Sequence, residues 1–375
     1  KFITKWDTTL DPSTPNQLQI YGDSRARNYT IDWGDGTINY YGIGPNDYVT
    51  HTYSTPGVKT VTITGNFPYF YAGCGDGDAY NKLIDVVQWG TGQWESFADS
   101  FAGCTHIEDF SASDVPDLSQ VTDMSSMFYN ATAFNGDIGE WNVSNVTTMR
   151  NMFTGPWFES SAFNQPLNNW DVSNVTDMSF MFQWATAFNQ PLNNWNVSHV
   201  TNMNRMFESA ISFNQPLNDW DVSGVTDMGA MFYSHNTSAF NQPLGNWFIN
   251  GDATDFLEGS GMSTDTYTKS LIGWADRVQG DAAVSTIIGP ASVPTPYCAS
   301  AKPARDILTG TYNWTITDGG SVSCQTATYS ADENGTLTGD TFQYIADGQR
   351  GTPVMAVPAT GYRFVSWSDG VATNP

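Results

Sequence analysis

Side chains able to do chemistry are sparse in this sequence and form no recognisable catalytic set. The four histidines, at positions 51, 106, 199 and 235, neither cluster with cysteines nor follow a His-x-x-x-His spacing. The sequence also lacks Gly-x-Ser-x-Gly, P-loop and dinucleotide-binding fingerprints. A glycosidase needs two positioned carboxylates, but among 38 acidic residues such pairs arise by chance. We therefore predict a protein that is not an enzyme and needs no cofactor.

Two acidic clusters nevertheless have the oxygen ligands that Ca²⁺ prefers. Asp32 and Asp35 flank a tight turn, and Asp76 and Asp78 lie in a Gly-Asp-Gly-Asp segment directly after Cys74. Aspartate also favours turns for conformational reasons alone. Both clusters are interpreted as loops rather than metal sites, and calcium binding is kept as the alternative.

The cysteines form two local pairs, Cys74 with Cys104 and Cys298 with Cys324, which lie outside the central repeats. The Cys-x-x-Cys spacing of zinc sites is absent. We predict two disulfides that close the ends of the repeat block, and disulfides imply an oxidising compartment.

The charge balance limits the possible partners. The 38 acidic and 14 basic residues give a net charge of −24, which disfavours nucleic acid and anionic membrane surfaces. Solubility is one interpretation of this charge, and attraction for cations or a basic partner is the other. No run of about 18 apolar residues is present, so we expect no membrane insertion. Because the chain begins with Lys1 and has no signal sequence, we expect a removed leader or a fragment.

The elements that must position any site come from a repeat, read five times between Val121 and Trp247. The anchor methionines recur at intervals of 25, 29, 25 and 25 residues, as Met124, Met149, Met178, Met203 and Met228. A repeat of this length cannot bury its apolar face alone and must stack on its neighbours.

Each repeat is predicted to contain a short helix and a short strand. In the third repeat, apolar residues recur at helical spacing, as Val175, Met178, Met181, Phe182 and Ala185. A strand is expected from Leu192 to Val197, and Pro191 bends the chain before it. We therefore predict an α/β repeat solenoid of leucine-rich-repeat-like coils, flanked by small all-β domains. The strict leucine pattern is only partly met, because Trp and Val replace Leu.

The chain divides into three predicted domains. Residues 1–66 alternate apolar and polar side chains and are predicted to form a small β-sandwich. Residues 67–318 hold the repeats, with core repeats at about 121–250 and a cap at each end. Residues 319–375 form a different β-rich unit.

Three segments resemble known families. The motif from Asp171 to Leu192 resembles that of BspA-like leucine-rich-repeat bacterial surface proteins, which include the mycoplasma-type surface lipoprotein repeat. The strings from Asp32 to Thr37 and from His51 to Gly57 resemble a PKD-like domain. Residues 361–375 are similar to part of a Listeria–Bacteroides-type, β-grasp-like surface repeat, which normally continues for another strand, so we expect a longer protein. These resemblances imply an extracellular, secreted protein displayed on a bacterial cell surface for adhesion.

Polar positions that recur in the repeats are the first candidates for binding. They are expected to stack in rows about 5 Å apart, and we select Asn145, Thr147, Asn174, Thr176, His199, Thr201, Gly224 and Thr226. Such rows could make hydrogen bonds between repeats or form a flat recognition surface. Two inserts, around Trp157 and His235, interrupt the repeat at the same point and are predicted to lie on one face.

The sequence thus predicts a non-catalytic protein that adheres or binds a ligand through its repeat surface. Its partner would be a protein or glycan on another cell or matrix. The alternative is a structural subunit of a surface layer or extracellular filament, whose partners are copies of itself.

Overall fold

A computed structural model describes residues 1–21, 26–43, 48–74, 81–157, 159–278, 287–288 and 295–374. The strands of the N-terminal part are β1 (Phe2–Asp7), β2 (Gln17–Tyr21), β3 (Arg27–Asp32), β4 (Ile38–Ile43), β5 (Tyr48–Thr52), β6 (Val58–Asn66) and β7 (Leu83–Gln88), with a 3-10 turn at Thr8–Leu10. They form a sheet in the order β4-β3-β6-β1-β7 and a separate two-stranded sheet of β2 and β5. All these pairings are antiparallel. Alternation in Phe2–Asp7 buries Phe2, Thr4 and Trp6 on one face, as a half-buried strand requires.

The repeats contain neither the predicted helix nor the predicted strand. Among the described residues from 89 to 263, the chain forms only turns, bends and single bridges. Successive repeats are joined by parallel one-residue bridges along the series Asp123, Thr148, Asp177, Asn202, Asp227 and Asp252. The predicted α/β repeat solenoid of leucine-rich-repeat-like coils is therefore wrong.

Backbone hydrogen bonding explains why a helix does not form. In the third repeat every second amide donates to the fourth repeat: Phe180 to Asn204 and Phe182 to Met206, both at 2.9 Å. The amides between them bond locally, three residues back, as Gln183 does to Phe180 at 3.1 Å. An α-helix would instead use every amide within its own segment. Residues 178–185 are thus a series of turns that is completed by the next repeat.

Left-handed residues enforce this alternation. Phe180 and Trp184 have φ of 61° and 58°, and Ser126, Arg205 and Ala230 take the same conformation in other repeats. A left-handed residue with a side chain costs roughly 1–2 kcal/mol. Each inter-repeat hydrogen bond contributes about 1 kcal/mol in return, so the conformation is stable only in the stack.

The predicted apolar stripe is confirmed as the core. Met178, Met181 and Phe182 are fully buried, as are their equivalents in the other repeats. The rings of Phe182 and Phe207 stack at 5.5 Å between centroids, and this row continues through every repeat. Repeat tryptophans also tie neighbouring repeats together: the Trp195 indole donates to the Leu167 carbonyl at 2.9 Å, and Trp170, Trp220 and Trp247 make the equivalent bond.

Beyond the repeats, the described residues form two helices and several short sheets. The elements are α1 (Thr264–Val278), β8 (Ile287–Ile288), β9 (Tyr297–Cys298), a 3-10 turn at Ala299–Ala301, α2 (Lys302–Gly310), β10 (Thr315–Ile316), β11 (Ser321–Val322), β12 (Cys324–Thr328), β13 (Gly335–Thr338), β14 (Phe342–Ala346) and β15 (Met355–Pro358). Two strand pairs are parallel, β8 with β10 and β9 with β11. Two others are antiparallel, β12 with β14 and β13 with β15.

Both predicted disulfides are confirmed. Cys74 bonds to Cys104, and Cys298 bonds to Cys324, with Cα atoms 5.0 and 5.5 Å apart. The first bond lies before the repeats, and the second joins β9 to β12 after them. A closed loop of this length stabilises a fold by roughly 3–4 kcal/mol, chiefly by constraining the unfolded chain.

Replacing Trp195 should test the core. Trp195 is 4% exposed, so Trp195→Ala removes a buried ring and its hydrogen bond and should cost about 3–5 kcal/mol of unfolding free energy. Thr201→Ala, which removes an exposed hydroxyl bonded to the Thr176 carbonyl, should cost about 1 kcal/mol or less. Urea denaturation of both variants measures the difference, and equal midpoints would contradict a core role for Trp195.

Replacing Ser126 should test the left-handed turn. Ser126 has φ of 54°, which glycine adopts freely and a β-branched residue does not. Ser126→Val should therefore be less stable than Ser126→Gly by about 1–2 kcal/mol. Thermal unfolding of the two variants makes the comparison, since both lose the same hydroxyl. A valine variant as stable as the glycine variant would show that the backbone here is not left-handed.

Candidate ligand-binding face

The first insert belongs to the second repeat, and hydrogen bonds to the third repeat hold its first residues in place. The Thr154 hydroxyl donates to the Phe180 carbonyl at 2.6 Å, and the Gly155 amide donates to the Gln183 carbonyl at 2.8 Å. A Cβ on Gly155 would lie 2.3 Å from the Trp184 carbonyl oxygen, so only glycine fits this close approach. The chain then presents Trp157 at the surface, where the residue is 62% exposed.

The second insert is fixed in the same way in the fifth repeat. The Ser234 amide donates to the Glu258 carbonyl at 2.7 Å, and the Ala239 amide donates to the Ile211 carbonyl at 2.8 Å. Gly259, at φ +72°, lies under Ser234, where a Cβ would come within 1.9 Å of the Ser234 carbonyl oxygen. His235 is thereby held at the surface next to Tyr233, whose hydroxyl lies 3.4 Å from the His235 Nδ1.

The two inserts meet. The rings of Trp157, Trp184 and His235, here called the ring platform, lie within 5.5–6.2 Å of one another between centroids. Their planes differ by only 16–35°. The predicted insert residues Trp157 and His235 are thus brought together, although they come from the second and fifth repeats. Sequence reasoning missed Trp184, which belongs to the third repeat.

A buried carboxylate from the fourth repeat lies beside the ring platform. The Glu208 side chain is 3% exposed and accepts hydrogen bonds at 2.8 Å from Gln183 Nε2 and Arg205 Nη1. Its other oxygen is 3.9 Å from His235 Nε2. Gln183, Glu208 and Tyr233 follow the repeat methionine by five residues, which is the only sequence signal that could have placed them side by side.

Acidic groups set the electrostatics of this face. The pKa of Tyr233 is raised above 10.0 by burial and by the charges of Glu258, Glu208 and Asp255. The pKa of Glu258 is raised above 4.5, mainly by burial and also by Asp255, while His235 opposes the shift. The face therefore carries a negative potential, against which Arg205 supplies one positive charge.

The predicted polar rows lie at the surface and make hydrogen bonds between repeats. The threonine hydroxyls bond to the carbonyl of the preceding row member at 3.1–3.2 Å, in Thr147, Thr176, Thr201 and Thr226. Asn145, Asn174 and His199 bond to serine carbonyls of the preceding repeat at 2.7–3.0 Å. Gly224 has no side chain for such a bond. The structure thus places these residues in exposed rows. No hydrogen bond among the described residues joins these rows to the two inserts that carry Trp157 and His235.

The calcium candidates divide into two groups. The Asp32 carboxylate accepts from the Gly34 amide, and the Asp35 carboxylate accepts from the Thr37 amide and lies 2.7 Å from His51 Nε2. Asp76 and Asp78 lie outside the described residues. In the part of the chain that the structure describes, no three His, Cys, Asp or Glu side chains gather in a way that could hold a metal ion.

Comparison with known families finds two matches. Residues 78–158, 95–199 and 156–259 match the family described as "Mycoplasma protein of unknown function, DUF285". Residues 325–374 match the "Divergent InlB B-repeat domain". These matches support a bacterial surface repeat protein. They also support a location at the cell surface. No curated protein and no solved structure matches the chain.

The helices of the chain give one further observation. In the described ranges, neither α1 nor α2 has the length and apolar character that crossing a membrane requires.

Acid should weaken the N-terminal unit through Asp35. The hydrogen bond with His51 is the largest cause that lowers the pKa of Asp35 from 3.8 to about 2. Because the folded pKa is below the unfolded one, ionised Asp35 stabilises the fold above about pH 3.8 and loses this effect as pH falls through about 2. The melting temperature should therefore fall less between pH 4 and 2 in Asp35→Asn than in the parent chain. Parallel pH curves for the two proteins would contradict this role.

Proposed function

We propose that this chain is a non-catalytic, extracellular adhesion protein that binds its ligand at the ring platform. The observation that carries the proposal is Trp157, a large ring left 62% exposed on a face that four repeats build together. Trp157 lies beside the rings of Trp184 and His235, and a contiguous aromatic patch of this kind at the surface is typical of an interaction site. Tryptophan is also among the residues that contribute most to binding energy at interfaces.

Rigidity supports binding at this face. Trp157 and Trp184 are attached to a stack whose amides bond from repeat to repeat, so the rings lose little conformational freedom when a ligand arrives. The polar rows are a weaker choice, because the hydroxyls of Thr176 and Thr201 already donate to neighbouring carbonyls. We therefore assign ligand recognition to the inserts, and we assign to the polar rows the hydrogen bonds that hold neighbouring repeats together.

The polar groups of the face favour binding over catalysis. Glu208 is the buried carboxylate beside the rings, and its Oε2 accepts hydrogen bonds from both Gln183 and Arg205. Because its side chain is only 3% exposed, Glu208 anchors Gln183 and Arg205 from beneath the surface and is not placed to exchange a proton with a ligand. The two disulfides fit an oxidising, extracellular compartment. The N-terminal sheet would serve as the PKD-like spacer of such a protein.

A structural role in a surface layer or filament is the second candidate. It is favoured by β4, which lies at the edge of the five-stranded sheet and exposes Ile38 by 63% and Tyr40 by 66%. An exposed apolar edge strand can pair with another chain. Adhesion is preferred because β4 shows no built site, whereas the ring platform combines rings, a buried carboxylate and a fixed backbone.

Trp157→Ala tests the proposal. Beads coated with the chain should lose at least about tenfold in adhesion to cultured cell layers and bacterial lawns, as expected for an interface residue worth about 1.4 kcal/mol or more. The fold should be unchanged, because replacing an exposed residue alters stability by about 0.5 kcal/mol or less.

Tyr40→Ala is the matched control, since Tyr40 is about as exposed as Trp157 but lies on β4. It should leave adhesion intact. If Trp157→Ala adheres normally while Tyr40→Ala abolishes assembly in sedimentation, the structural role is favoured and the proposal fails.

A further inference from the structure

We propose that the ring platform recognises a neutral pyranose unit of a glycan. This inference rests on the proposed function and names the class of ligand. It depends on three features of the described residues, which are the shape of the ring surface, the hydrogen-bonding groups at its border and the sign of the surrounding charge.

The first feature is the near-parallel arrangement of the three rings. Three rings that lie mutually within 5.5–6.2 Å and within 35° of parallel cannot form a simple pile, since the outer two would then be about twice as far apart as neighbours. They are therefore offset sideways from one another, and Trp157, which is 62% exposed, presents its ring to solvent. A pyranose ring presents a flat set of C–H bonds that packs on such a surface. The hydrogen atoms of those C–H bonds carry a small positive charge, which is attracted to the negative face of an aromatic ring.

Hydrogen-bonding groups border the platform where a sugar has its hydroxyls. Arg205 is 46% exposed at its side chain and has five N–H donors, of which Nη1 is bonded to Glu208. The His235 side chain is also 46% exposed, and the Tyr233 hydroxyl lies beside it. A few polar groups around an apolar surface are what fixes the orientation of a small ligand.

The charge of the face disfavours acidic sugars. Glu208, Glu258 and Asp255 raise the negative potential of this face, which disfavours sialylated, sulfated or uronic acid sugars. A quaternary ammonium is the remaining competitor, because a cation can pack on an aromatic face. The buried carboxylate that could attract it is already bonded to Arg205.

Titration with defined oligosaccharides tests this inference. Neutral oligomers of glucose, galactose, mannose and N-acetylglucosamine, galacturonate oligomers and choline are each added to the chain, with indole fluorescence and calorimetry as readouts. At least one neutral oligomer should bind, and Trp157→Ala should weaken that binding at least tenfold. Trp157→Phe, which keeps a flat ring, should weaken it less than Trp157→Ala does. Arg205→Met should also weaken it.

The outcomes separate the two proposals. If no neutral oligomer binds, or if galacturonate or choline binds in a Trp157-dependent way instead, the inference about the glycan is overturned. Bead adhesion that still requires Trp157 would then leave the proposed function standing. If a neutral oligomer binds at Trp157 but adhesion is indifferent to Trp157→Ala, the glycan inference holds and the proposed function fails.

Discussion

The backbone hydrogen bond from every second amide to the next repeat is the interaction on which the structure depends. It allows residues such as Phe180 and Trp184 to remain left-handed, because each strained residue lies next to a bond that only the neighbouring repeat can supply. A single repeat would keep the strain without the bonds. Stability is therefore a property of the stack, and terminal elements such as β7 and α1 are needed where the series of partners ends.

The same bonding fixes the register, and the register builds the site. Since Trp184 donates to Glu208 and Ser234 donates to Glu258, equivalent positions of adjacent repeats lie side by side. Gln183, Glu208 and Tyr233 thus become neighbours without any contact being encoded locally. Two short inserts are then sufficient to complete a surface that spans four repeats, because the backbone beneath them is already positioned.

The sequence predicted the core well and the backbone badly, for one physical reason. Apolar residues at Met178, Met181 and Phe182 are buried in either a helix or a row of turns, so burial followed from residue type alone. The helix did not follow, because the same spacing serves turns that bond three residues back, and no glycine marks the left-handed Phe180. For the site, the inserts at Trp157 and His235 could be selected as interruptions. Their mutual contact could not, because it depends on an inter-repeat register that no single repeat reveals.

The division between repeated and interrupted positions explains where recognition can arise. A residue such as Thr176 must serve the stack in each repeat, so its hydroxyl is already used, and a change there disturbs its neighbours. Positions that depart from the repeat are free of this constraint. Trp184 occupies the position of Ser209 in the next repeat, and His235 occupies that of Ala210. Because Ser209 and Ala210 are small and buried, large rings on both sides can approach each other across the fourth repeat. Uniform rows hold the scaffold together, and departures from uniformity create the surface that binds.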